Sequence, residues 1–124
     1  IRYIATCSAS YPLDIYDKLK KAMTISGVKY FHIHTPCPPG WGFDPAYSVK
    51  VGKMAVRTGL FDLYEIENGI LKRTGPSQRL TRKKLRPVIE YFKMQRRFKA
   101  LTEKTITQIQ RQVDEKWEEY EKNC

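Results

Sequence analysis

The sequence predicts an α/β fold built on an open sheet, and three stretches carry that expectation. Residues 2–7 and 28–35 are short β-prone runs separated by a helical pattern from Pro12 to Ser26-Gly27. That is a strand–helix–strand unit of the size a right-handed parallel crossover needs. Pro36, Pro38 and Pro39 then end the second run abruptly, since each lacks an N–H and fixes φ. Asn68-Gly69, set between residues 61–66 and 70–73, is the strongest two-residue hairpin signal.

Residues 2–7 read as a core strand holding Cys7. Ser8-Ala9-Ser10 is a small-residue turn, Pro12 suits the first helical position, and Ser10 or Tyr11 would cap the helix. Ile15, Leu19, Ala22 and Met23 fall at helical spacing as the expected apolar stripe, with Asp14, Asp17, Lys18, Lys20 and Lys21 mainly off it. The early acids and late lysines suit the helix dipole. Residues 28–35 are apolar and aromatic enough for a strand buried in the sheet. Asp44-Pro45 caps a second helix that ends at Thr58-Gly59, with Val51, Gly52 and Ala55 as a small-residue packing face and Gly52 marking a close approach to the sheet.

The α/β part, residues 1–75, ends near Gly75-Pro76, and residues 76–124 read as a basic helical C-terminal extension. Pro87 starts one helix with Tyr91, Phe92, Met94 and Phe98 on its apolar side. Thr102-Glu103 caps a last helix whose stripe is Ile106, Ile109, Val113, Trp117 and Tyr120. There is no internal repeat.

A chain of 124 residues, 41% of them hydrophobic, is one domain's worth of material. It begins at Ile1 rather than Met, so a preceding portion is expected. No apolar run approaches the roughly 20 residues of a membrane span, and residues 1–10 lack the flanks of a signal peptide, so a soluble intracellular protein is expected. Lys and Arg number 23 against 13 acids, a net charge of +10, which predicts an acidic partner: nucleic acid, phosphorylated cofactor, membrane surface or acidic protein. The 3 cysteines, odd in number and far apart, argue against a disulfide scaffold and for a reduced compartment.

The candidate site is Cys37 in the run His32-Ile33-His34-Thr35-Pro36-Cys37-Pro38-Pro39-Gly40-Trp41. Its prolines hold it extended at the C-terminal end of a strand, the end where open α/β sheets place ligands. With Gly40 allowing close backbone approach and Trp41 able to exclude solvent, it reads as the rim of a pocket. A lone free cysteine is ordinarily a small buried hydrophobe, but a preset exposed sulfur with water shielding is what an iron–sulfur cluster asks of a ligand. One cysteine cannot hold a four-cysteine cluster, so the partners would come from outside these residues.

Two histidines, His32 and His34, share a strand face and with Cys37 could suggest zinc; their spacing matches no zinc pattern, and satisfied strand histidines are the commoner case. Nothing positions a base for the Cys37 proton, and there is no P-loop or dinucleotide fingerprint. Cys7 and Cys124 read as structural or incidental. Residues 72–104 are dense in Lys and Arg against only Glu90 and Glu103, with Tyr91, Phe92 and Phe98 interleaved. That composition suits a nucleic-acid-binding module without catalysis, although a solvated or subunit-facing surface is the commoner reason for such a run.

Several pieces, in order and over nearly the whole chain, carry a family resemblance: Tyr3-Ile4-Ala5-Thr6, Ser10-Tyr11-Pro12, His32 through Trp41 and on to Gly42-Phe43-Asp44-Pro45, Ala55-Val56-Arg57-Thr58-Gly59, Leu63-Tyr64-Glu65 with Glu67-Asn68-Gly69, and Pro87-Val88 through Tyr91 to Arg97-Phe98-Lys99. Together they resemble the C-terminal part of the β subunit of the 2-oxoacid:ferredoxin oxidoreductases, most closely the pyruvate synthase type. The resemblance implies the C-terminal part of an open, mostly parallel thiamine-diphosphate-binding sheet domain, followed by a hairpin and a helical tail.

It also implies coenzyme A-dependent oxidative decarboxylation of a 2-oxoacid, with electrons leaving through [4Fe-4S] clusters to ferredoxin. The cofactors implied are thiamine diphosphate, Mg2+ and [4Fe-4S], and the partners are other oxidoreductase subunits, in the cytoplasm. By the same resemblance Cys37 is the fourth ligand of the proximal cluster. The other three, and the motif for magnesium diphosphate, are expected upstream of Ile1, so this portion alone should be inactive.

Overall fold

Tyr3–Ser8 forms β1, the strand on which the sheet is assembled in this computed structural model, which describes residues 1–123. Tyr3, Ala5 and Cys7 are fully buried on one face, and Thr6 and Ser8 are buried on the other. That accounts for its unbroken run of small and apolar residues, since a strand covered on both faces has no need of polar alternation. β1 pairs in parallel with β2 (Lys29–His34), in a register that runs from Tyr3 opposite Lys29 to Ser8 opposite His34. On its other side it pairs antiparallel with β3 (Tyr64–Glu67), which turns through Asn68-Gly69 into β4 (Ile70–Arg73).

The sheet order is therefore β2-β1-β3-β4, and the expectation of a mostly parallel sheet is wrong. Among the described residues only β1 and β2 pair in parallel. One helical crossover makes one parallel pair, whereas a two-residue turn with Asn68 at φ 51° and Gly69 at φ 81° can only join antiparallel neighbours. The sheet is open and followed by helices, as expected.

A second expectation fails at β2. Among the described residues it is an edge strand, with Tyr30 54% and Ile33 45% exposed. A short apolar run reads the same whether or not a further strand covers it, so the sequence does not separate the two cases.

The crossover helix α1 (Pro12–Met23) begins at Pro12 with Tyr11 as its N-cap, and Tyr11 makes no side-chain capping bond. Its buried face is Ile15, Lys18 and Ala22, while Leu19 and Met23 point outward. Lys18 is tolerated inside because its ammonium donates to the Thr6 carbonyl (2.7 Å) and to Asp14 (2.6 Å), so neither charge is unpaired. Nearby, the Tyr3 hydroxyl donates to Glu65 (2.6 Å), whose other oxygen accepts from Lys21 (2.8 Å). Burial works to raise the Glu65 pKa, but the Lys21 and Tyr3 hydrogen bonds outweigh it and hold the carboxyl below the usual range.

After β2 comes a single helical turn, α2 (Pro38–Trp41). Asp44 then accepts from the Ala46 N–H (2.8 Å) to cap a 3-10 turn that leads into α3 (Ser48–Arg57). Gly52 of α3 faces Ser10 and Pro36, and any Cβ there would collide with the Ser10 hydroxyl. The close approach expected of Gly52 is thus to the turns leaving β1 and β2.

Beyond the hairpin, the basic segment folds as short turns, α4 (Ile89–Phe92) and a 3-10 turn at Arg96–Phe98, and not as one helix from Pro87. The last helix, α5 (Glu103–Lys122), starts where expected, with the Thr102 hydroxyl accepting from the Thr105 N–H (3.2 Å). Val113 and Trp117 of α5 close a core with Val51, Ala55, Val88, Tyr91 and Phe92. Trp117 is fully buried and donates its indole N–H to the Gly59 carbonyl (3.1 Å). No helix among the described residues is long and apolar enough to cross a membrane.

Candidate functional site

Cys37 stands between the end of β2 and the turn of α2, with φ −117° and ψ 95°. This is the extended conformation its prolines require. Pro38 and Pro39 then occupy the first turn of α2, where a missing N–H does no harm. The Trp41 N–H closes the turn on the Cys37 carbonyl (2.8 Å), and Gly42, left-handed at φ 78°, donates to the Pro38 carbonyl (2.9 Å). The sequence did not reveal this helical turn, because a run of prolines signals the end of a strand more clearly than the start of a four-residue helix.

The thiol of Cys37 is free and exposed. Its sulfur lies over Gly40, where an added Cβ would come within 3.1 Å. Any larger residue at position 40 would press on the sulfur. The cavities of about 530, 430, 360, 340 and 260 Å3 are lined by other segments, and Cys37 is an exposed residue rather than part of any of these.

The tail supplies the other wall. Arg96 donates its backbone N–H to the Gly42 carbonyl (3.1 Å), and a Cβ on Gly42 would meet the Arg96 side chain at 2.8 Å. The Arg97 guanidinium lies 3.8 Å above the Trp41 ring and 4.4 Å from Phe98. Its Nη2 donates to the Tyr91 hydroxyl (3.1 Å) and its Nε to the Gln95 side chain (2.8 Å). Tyr91 in turn lies 3.3 Å from His34 Nε2. The His34 ring sits tilted 5.4 Å from Trp41 and 5.1 Å from Phe61, so histidine, tryptophan and arginine form one contiguous wall beside the cysteine turn. Sequence reading placed Tyr91 only on an apolar face; no spacing rule links residues 34 and 41 to 91 and 97.

Burial lowers the His34 pKa, and the charge of Arg97 and the neighbouring His32 lower it further, so His34 is neutral near pH 7. His32 and His34 do share one strand face, both against Phe61. They do not form a metal centre with Cys37: among the described residues no group of three or more His, Cys, Asp or Glu could hold a metal ion. The residues present thus fit a cluster at one corner only, a free outward thiol over a glycine. Cys7 is buried in the sheet, its thiol pKa raised by desolvation, and Cys124 lies outside the described residues.

No protein-family model matches the chain. Curated proteins do. The chain is 45% identical over 117 residues to the pyruvate synthase subunit PorB of Methanocaldococcus jannaschii, covering 94% of this chain and 37% of that protein. It is 47% identical over 115 residues to the PorB of Methanothermobacter marburgensis, covering 92% and 38%. Against the ketoisovalerate oxidoreductase subunit VorB of Pyrococcus furiosus the identity is 40% over 122 residues, covering 98% and 38%. The chain therefore spans less than two fifths of the length of the relatives it matches.

Proposed function

The chain belongs to the PorB/VorB family of 2-oxoacid:ferredoxin oxidoreductase subunits, and from that premise we propose that it is the C-terminal portion of such a subunit and supplies Cys37 as one thiolate ligand of a [4Fe-4S] cluster. The observation that carries the reading is the free thiol of Cys37, exposed at a rigid turn beside an aromatic and cationic wall. A ligand that must meet partners from another segment has to face outward, and a proline-locked backbone removes the entropy of ordering it. Gly40 leaves room for the sulfur, and the His34–Trp41 ring pair lies on the two segments that flank the Cys37 turn.

The whole enzyme would carry out coenzyme A-dependent oxidative decarboxylation of a 2-oxoacid such as pyruvate. Thiamine diphosphate with Mg2+ supplies the carbanion chemistry when bound, held by residues outside this chain. This chain's share is one corner of the electron acceptor and a basic surface toward ferredoxin, coenzyme A phosphates or neighbouring subunits. Part of that positive charge is spent internally: Arg82 pairs with Asp114 and Glu118, Arg86 with Glu90 and Lys116 with Asp62. That pairing disfavours the alternative of a nucleic-acid-binding module.

The test is Cys37→Ser in the complete enzyme, assembled anaerobically. The expected outcome is loss of one [4Fe-4S] cluster per subunit, read as iron and acid-labile sulfide, with electron transfer to ferredoxin abolished. Full cluster content in the variant would remove Cys37 from the ligand set.

A further inference from the structure

The wall beside Cys37 is held by a chain of hydrogen bonds whose direction follows from the chemistry of its members. A guanidinium only donates, so the Tyr91 oxygen accepts from Arg97 (3.1 Å). The Gln95 amide reinforces this, donating to the Tyr91 carbonyl (2.9 Å) while it accepts from Arg97 Nε (2.8 Å). Tyr91 is only 6% exposed, and its own O–H proton needs an acceptor. His34 Nε2, at 3.3 Å, is that acceptor. Giving the Tyr91 proton that acceptor leaves a lone pair on Nε2 and places the ring proton on Nδ1. Nδ1 is buried without a hydrogen-bond partner, so the tautomer is set from the Nε2 side of the ring.

Arg97 thus acts on two parts of the same turn. Through Tyr91 it fixes the tautomer and orientation of His34, which lies against Trp41. Directly, it stacks on Trp41, the residue whose N–H closes the turn on Cys37. Its neighbour Arg96 bonds the Gly42 carbonyl at the other end of that turn. None of the acidic side chains that pair with cations elsewhere in the tail is bonded to Arg97, whose side-chain bonds run to neutral partners.

We infer that Arg97 is a positioning residue for the redox site: it locks His34 as the neutral Nδ1–H tautomer, clamps Trp41 over the Cys37 turn, and sets beside that turn a fixed positive charge that favours the reduced state of the group ligated there. The inference rests on the proposed ligation by Cys37, and two measurements separate its failure from the failure of that reading.

The first measurement needs no cluster. Ring 15N shifts of histidine-labelled full-length protein, with His34→Asn identifying the His34 signals, are expected to report the Nδ1–H tautomer. Tyr91→Phe should move His34 toward the Nε2–H form, and Arg97→Gln, at an exposed position that spares the core, should do so in part. An Nε2–H tautomer in the unaltered protein, or one indifferent to both variants, overturns the clamp whatever Cys37 binds.

The second measurement is made on the assembled enzyme. With cluster content unchanged, the reduction potential of the proximal cluster is expected to move negative in Arg97→Gln and to return most of the way in Arg97→Lys, which restores the charge without the two side-chain hydrogen bonds. A potential unmoved by Arg97→Gln overturns the electrostatic part. Equal shifts in Gln and Lys overturn it too, since they would trace the effect to packing alone.

Discussion

Cys7 lies on β1 and Cys37 just past the end of its parallel neighbour β2, and the fold treats them in opposite ways. Cys7 belongs to the interior strand, covered by α1 on one side and flanked by paired strands, and burial pushes its thiol pKa up. Cys37 follows the edge strand and is turned outward by prolines. The difference teaches that position in the sheet decides which sulfur can do chemistry. A buried thiol packs; a thiol past an edge strand can meet a ligand shared with another segment.

The interior side should break first. Lys18→Met strands the Asp14 carboxylate, whose side chain is 9% exposed, without its cation, and should cost about 3 kcal/mol in urea denaturation, the usual loss when one partner of a buried pair is removed. Cys7→Ser puts a hydroxyl where no partner is ready and should cost about 1–3 kcal/mol in the same assay. Cys37→Ser, on the exposed side, should change stability by no more than about 0.5 kcal/mol while it removes the cluster. If Cys37→Ser proved as destabilising as Cys7→Ser, the contrast between the two sulfurs would be lost.

Acid sharpens the same comparison. The folded pKa of Glu65 is held below its unfolded value of about 4.3, so the stability it contributes is complete above that pH and is lost as pH falls through the folded value. Glu65→Gln should therefore flatten the loss of stability below about pH 4.3, measured as the urea midpoint at pH 7 and pH 3. The effect belongs to the β1 side, where Glu65 bonds Tyr3 and Lys21, and leaves the Cys37 turn unchanged.

Local chemistry was legible in the sequence. Pro12 opens α1, Asn68-Gly69 turns the hairpin, Thr102 caps α5, and Val113 and Trp117 face the core as their spacing requires. Cys37 is extended as its prolines demand. Non-local facts were not legible. Whether residues 29–34 lie inside the sheet or at its edge depends on what pairs with them, and the direction of β3 depends on how a long connection returns. Tyr91, Phe92 and Phe98 suit one helix by spacing alone, yet two short turns bury them equally well. Lys18 was misplaced outside because its partners, a carbonyl on β1 and a carboxylate one turn back, appear only after folding. The wall of His34, Tyr91 and Arg97 was hidden for the same reason.

Under the proposed function the outward sulfur of Cys37 is bonded to iron in the assembled enzyme. Alkylation of Cys37 by iodoacetamide, followed by mass spectrometry before and after anaerobic removal of iron by a chelator, tests it directly. Cys37 should be protected in the loaded enzyme and react rapidly once iron is stripped, while Cys7 stays unreactive in both. Equal alkylation of Cys37 with and without iron would contradict the account.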